Sequence, residues 1–208
     1  MVSIVAFDCD GVMFDTREAN RAYYNRILSG IGKAPLTDRQ FDYAQMHTVD
    51  ESLSFLIPEP HLLEAAYAMR RQMGYGPFIA HMVMEAHLRA LLGYLRPRYK
   101  TAIATNRTDT MERVLREHRL EGQFDMVVCA HDVPRPKPAP DALLKIMAAF
   151  DARPDQMVFI GDSTLDQQAA DAAGVTFLAF ANPALSAEYH IDSLAEVIPI
   201  LETPASAG

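Results

Sequence analysis

Five short apolar runs, at residues 4–7, 101–104, 126–129, 157–160 and 175–180, each stop at a polar or glycine-containing break. Runs of this length, apolar at successive positions, fit strands buried on both faces. Helix-like stretches such as 108–118 and 141–150 lie between them, and the alternation predicts a mainly parallel sheet with helices on both faces. In such a sheet the carboxyl ends of the strands form the ligand-binding edge. The residues that follow each run are therefore the candidates for chemistry.

Residues 17–83 break the pattern. They hold no convincing strand, and their apolar positions recur at helical spacing, so an inserted helical domain is expected there, between 1–16 and 84–208. Thr37 followed by Gln40 matches a capping box, while Leu62, Ala65, Ala66, Met69 and Met73 form one helical stripe expected to pack as core. Gly74-Tyr75-Gly76-Pro77 punctuates the return towards a helix over 85–95. A chain of 208 residues can bury a substantial core unaided. Its formal net charge of -8 argues against broad binding to nucleic acid or an anionic membrane surface. Cys9 and Cys129 do not form a close pair with metal-ligand spacing, so a reducing, cytoplasmic setting fits, with both thiols packed as small core groups. No basic leader precedes the apolar start, and no apolar run approaches the roughly 18 residues of a membrane span.

Acidic residues stand where the runs end. Asp8 and Asp10 follow the first, and Gly161-Asp162-Ser163-Thr164-Leu165-Asp166 follows the fourth, so sheet topology could gather four carboxylates that are distant in sequence. Such a cluster cannot stay ionised without cations: Lys137 and one divalent ion would still leave about one negative charge. Oxygen-only ligands with room for water and phosphate suit magnesium. Taken alone, Asp-x-Asp is more often a pair of surface acids, and Asp10-Gly11 is also a turn dipeptide. Thr105 and Asn106 end the second run, where hydroxyl and amide could bond phosphate oxygens or could cap the next helix. Lys137 sits in a loop stiffened by Pro134, Pro136, Pro138 and Pro140, where an ammonium could neutralise a nucleophilic carboxylate and a transferring phosphate. Asp141 is expected to start the next helix.

These segments, Phe7-Asp8-Cys9-Asp10-Gly11-Val12, Ala104-Thr105-Asn106, Lys137-Pro138-Ala139-Pro140-Asp141 and Gly161-Asp162-Ser163-Thr164-Leu165-Asp166, resemble the four ordered motifs of the haloacid dehalogenase superfamily. The helical insertion between the first and second motifs resembles the branch of phosphoglycolate phosphatase and beta-phosphoglucomutase. The resemblance implies a Rossmann-like α/β core with a helical cap, and an active site where the two meet. It implies that Asp8 attacks phosphorus, that Asp10 protonates the leaving alcohol and then activates water, and that Thr105, Asn106 and Lys137 hold phosphate. Magnesium would be bound by Asp8, Asp162 and the backbone carbonyl of Asp10, with Asp166 as an outer-shell acid. His47 and Thr48 lie where the family places specificity residues, although Thr48 or Asp50 could simply cap a helix. Arg107 could reach an acidic substrate or serve in a salt bridge, and Arg135 stands in similar case.

The expected activity is hydrolysis of a small phosphorylated metabolite by a cytoplasmic monomer or homodimer. Two other readings remain. A phosphomutase would return the phosphate to a bound sugar. A non-catalytic phospho-ligand binding or signalling protein would use a similar aspartate, hydroxyl and lysine, but receivers of that kind are shorter and lack the insertion.

Overall fold

The structure is a computed structural model that describes residues 1–46 and 49–203. In chain order its elements are β1 (Ile4–Phe7), β2 (Phe14–Asp15), α1 (Arg17–Gly30), α2 (Asp38–Met46), α3 (Val49–Leu56), α4 (Pro60–Met73), β3 (Val83–Met84), α5 (Leu88–Leu95), β4 (Lys100–Ala104), α6 (Met111–Glu117), β5 (Met126–Val128), α7 (Asp141–Ala149), β6 (Met157–Gly161), α8 (Thr164–Ala173), β7 (Thr176–Phe180), β8 (Tyr189–Ile191) and α9 (Val197–Glu202). They fall into two compact units, Met1–Asp15 with Val83–Gly208, and Thr16–Met82.

The first unit is built on a six-stranded sheet in the order β5-β4-β1-β6-β7-β8, with every pair parallel. Parallel strands buried on both faces need continuous apolar sequence, and all four residues of β1 are buried. Phe7 pairs with Ile103 on one side and Ile160 on the other, so β1, β4 and β6 end almost level. The chain runs from β1 to β4 in one direction and to β6 in the other, which opens a crevice at their carboxyl ends. Ile4, Ala6, Phe159 and Phe177 line one face of the sheet and pack with Leu143, Ile146 and Met147 of α7 and Ala169, Ala170 and Ala173 of α8. Leu88, Leu91, Leu92 and Leu95 give α5 a buried stripe at helical spacing. The fold is Rossmann-like.

Several boundaries differ from the sequence expectation for local reasons. The third run stops as a strand at Val128, because the Cys129 N–H turns to the Asp132 carboxylate at 2.8 Å; Cys129 is half-buried. The helix expected over 85–95 begins at Leu88, since Val83–Met84 is taken into an antiparallel pair with Phe14–Asp15 and Glu85 accepts the His87 N–H at 2.6 Å. The helices expected over 108–118 and 141–150 are Met111–Glu117 and Asp141–Ala149. Strand β8 adds an edge that its short Tyr-His-Ile sequence did not announce.

The second unit contains α1 to α4. Ala19, Tyr23, Tyr24, Ile27 and Leu28 are the buried side of α1. Tyr23 sits within an aromatic group, its ring centroid 5.5 Å from both Tyr24 and Phe78 and 5.4 Å from Tyr75. The Thr37–Gln40 box forms, with the Thr37 N–H donating to Gln40 at 2.9 Å and the Gln40 N–H donating back at 3.3 Å. Pro60 opens α4, where its missing N–H costs nothing. The α4 stripe is less buried than its pattern suggested: Ala66 is buried, Leu62, Met69 and Met73 are half-buried, and Ala65 is exposed. No helix among the described residues is long and apolar enough to cross a membrane.

Candidate active site

Asp8 follows β1, and the Lys137 ammonium lies 2.7 Å from its Oδ1. The same ammonium donates to Asp166 Oδ1 at 2.5 Å and stands 5.4 Å from the centre of the Phe159 ring. Side-chain exposure is 4% for Lys137, 10% for Asp8 and 0% for Asp166, so three ionisable groups share a nearly dry site. Burial works against the ammonium, but Asp8 and Asp166 outweigh it and hold Lys137 above the ordinary lysine value. Burial also raises the Asp8 carboxyl to about 8 despite Lys137, with Asp166 and Asp10 adding to the rise.

Asp162 follows β6 and enters the same group. Oxygens of Asp8, Asp162 and Asp166 lie within 4.8 Å of one another. Burial, and after it the Asp166 carboxylate, raise Asp162 to about 7. Two glycines make this convergence possible. Gly11 has φ +84°, and a Cβ there would stand 1.9 Å from Asp162 Oδ2; a Cβ on Gly161 would stand 2.3 Å from that of Asp166. The second Asp166 oxygen accepts the Ser163 hydroxyl at 2.6 Å and the Ser163 and Asp162 N–H groups at 3.1 and 3.3 Å. Ser163 caps α8 in return, so the capping box fixes Asp166 while the helix forms. The donor set is all oxygen and short of positive charge even with Lys137, which fits a hard divalent cation such as magnesium.

Asp10 is not a member of that group of carboxylates. Its two oxygens accept from Arg107, Nε to Oδ2 at 2.7 Å and Nη2 to Oδ1 at 2.6 Å. Arg107 also donates from Nη1 to Thr110 Oγ1 at 3.1 Å, and its N–H reaches Thr105 Oγ1 at 3.2 Å. Of the two roles open to Arg107 in the sequence, the structure displays the salt bridge. Asn106 is bound to the backbone of Lys137: its amide donates to the Lys137 carbonyl at 2.9 Å and accepts the Lys137 N–H at 3.0 Å. Arg135 pairs with Asp141 at 2.8 Å, the first residue of α7. Cys9 is fully buried, and burial pushes its thiol well above the ordinary value. His47 and Thr48 lie outside the described residues.

Asn182 belongs to the site without any motif to mark it. Its amide donates to the Asp162 carbonyl at 2.8 Å. The signal available was its place just after β7, at the edge where the other strands present Asp8, Thr105 and Asp162.

Residues 5–180 match the family model described as haloacid dehalogenase-like hydrolase. A phosphoglycolate phosphatase from Nitrosospira multiformis is 30% identical over 182 residues, which cover 83% of this chain and 80% of that protein. Among solved structures, a HAD-superfamily hydrolase of subfamily IA, variant 1, from Geobacter sulfurreducens superposes with a TM-score of 0.90 at 36% identity, covering 96% of each chain. A beta-phosphoglucomutase from Clostridium difficile shares the fold with a TM-score of 0.76 at 17% identity, over 97% of this chain and 96% of that one.

Proposed function

This chain belongs to the haloacid dehalogenase-like hydrolases and is a phosphatase of that family, and we propose that it hydrolyses small phosphorylated metabolites with magnesium through an aspartyl phosphate on Asp8. The observation that carries the reading is the Asp8–Lys137–Asp166 chain of ion pairs at the end of the central strand, with Asp162 beside it. Asp8 attacks phosphorus with a carboxylate oxygen as the bond to the alcohol oxygen breaks, and Asp10 delivers a proton to that departing oxygen. Asp10 then takes a proton from water as the water attacks the aspartyl phosphate, which releases inorganic phosphate and restores Asp8. Lys137 offsets the charge gathered on the phosphoryl oxygens, and the Thr105 hydroxyl helps to orient them. Asn106 serves the phosphate indirectly, by setting the backbone from which Lys137 extends. Asp8 and Asp162, with Asp166 behind them, would hold magnesium, which would supply the positive charge the carboxylates lack. Asp166 is read as supporting because both its oxygens already serve Lys137, Ser163 and the Asp162 N–H.

Phosphate release from a panel of phosphorylated metabolites, led by phosphoglycolate because of the similarity to that phosphatase, tests the proposal. Release should require magnesium and fall at least about a thousandfold in Asp8→Asn, as for loss of a covalent nucleophile. The variant should remain folded, because burial already disfavours the ionised carboxyl that the amide replaces. A folded variant as active as the wild type would remove Asp8 from the mechanism. Label passed from phosphate to a sugar instead of to water would move the assignment to a mutase.

A further inference from the structure

The ion pair between Arg107 and Asp10 occupies both oxygens of the carboxyl that the proposed mechanism needs for proton transfer. The two partners are unequal. The Arg107 side chain is 9% exposed and Asp10 38%. Arg107 is further tied to the core unit, through Nη1 to Thr110 Oγ1, through its N–H to Thr105 Oγ1, and through its carbonyl, which accepts the Ala130 N–H at 2.9 Å. The backbone bonds fix where the side chain starts, and burial with the Nη1–Thr110 bond holds its head, so the guanidinium is the better-held member; it presents Nε and Nη2 as a planar fork, the geometry that binds a carboxylate or a phosphate through two parallel hydrogen bonds.

We propose that Arg107 is a specificity-determining residue whose fork exchanges Asp10 for a second anionic group on the substrate, so that the preferred substrates are phosphomonoesters carrying a carboxylate or second phosphate close to the ester oxygen. This inference rests on the phosphatase reading with Asp10 as acid and base. An incoming anion recovers the two hydrogen bonds that Asp10 gives up, and so releases Asp10 towards the leaving oxygen at little cost. A neutral leaving group has nothing to offer the fork, and the pair must open uncompensated. The anion must lie within a few bonds of the ester oxygen, because it takes the place of a carboxylate that is itself to reach that oxygen. Since release of Asp10 acts in the chemical step, the preference extends to kcat as well as KM.

The test compares 2-phosphoglycolate with ethyl phosphate, in which a methyl group replaces the carboxylate, using the full chain with magnesium. The wild type should favour phosphoglycolate in kcat/KM by about tenfold to a hundredfold, the scale of one charge-assisted fork. Arg107→Gln should bring that ratio towards one, and Arg107→Lys, which keeps the charge but not the fork, should give an intermediate ratio. A purely structural role would lower both esters in proportion, and an unchanged ratio in either variant overturns the inference. So does a wild-type ratio near one, which needs no variant to fold. If the wild type hydrolyses neither ester nor p-nitrophenyl phosphate, the phosphatase reading falls and the inference with it; if it hydrolyses them without preference, only the inference falls.

Discussion

Gly11 links backbone conformation to the site at the scale of one residue. Its φ of +84° is a region that side chains resist, and the space a Cβ would fill is held by the Asp162 carboxylate. Gly11→Ala must therefore displace Asp162, and a shift of about 1 Å at a reacting centre costs on the order of a hundredfold. We expect that loss in magnesium-dependent turnover, together with a weaker rise of melting temperature on adding magnesium. A variant with normal turnover and a normal magnesium response would mean that Asp162 accommodates the methyl group. The strand-end acids were legible in the sequence because burial of an apolar run forces its first polar neighbour to the sheet edge. The closeness of Gly11 to Asp162 was not, since it joins two loops about 150 residues apart. The partnership of Asp10 with Arg107 was hidden for the same reason.

Between elements, Asn106 joins the end of β4 to the proline-rich loop before α7. Its amide grips the N–H and the carbonyl of Lys137 at once, so one side chain fixes both the position and the direction from which the ammonium reaches Asp8. Asn106→Ala leaves both backbone groups without these partners, at about 2 kcal/mol in all. For a chain of this size that lowers the melting temperature by roughly 4–8 °C. The loss should be present in phosphate-free buffer, with turnover down about tenfold or more as Lys137 loses its support. A variant that melts like the wild type without phosphate but binds inorganic phosphate weakly would return Asn106 to direct phosphate contact. The elements themselves were readable because apolar periodicity reports burial; their ends were not. The start of α5 depends on which strand claims Val83–Met84, and the end of β5 on an acid three residues beyond Cys129. Both are settled by partners outside the segment.

Across the whole molecule, a chain of formal net charge -8 buries carboxylates around a single lysine and therefore couples its stability to protons and metal. Burial holds the Asp8 and Asp162 carboxyls at about 8 and about 7 in the fold, above the ordinary 3.8. Their preference for the protonated form stabilises that fold below about pH 4 and is lost as the pH rises through 7 to 8. Magnesium needs the ionised oxygens, so protons and metal compete, and binding strengthens with pH over the same interval. Between pH 8 and pH 6 the apparent magnesium affinity should weaken by about tenfold or more. The rise of melting temperature produced by magnesium, measured against a monovalent salt of equal ionic strength, should accordingly be several degrees larger at pH 8 than at pH 6. Asp8→Asn removes one of the two competing protons and should flatten that dependence even where catalysis cannot be measured. Equal magnesium effects at the two pH values would show that the metal does not use these carboxylates. A wild-type dependence that Asp8→Asn leaves intact would place the metal on other groups.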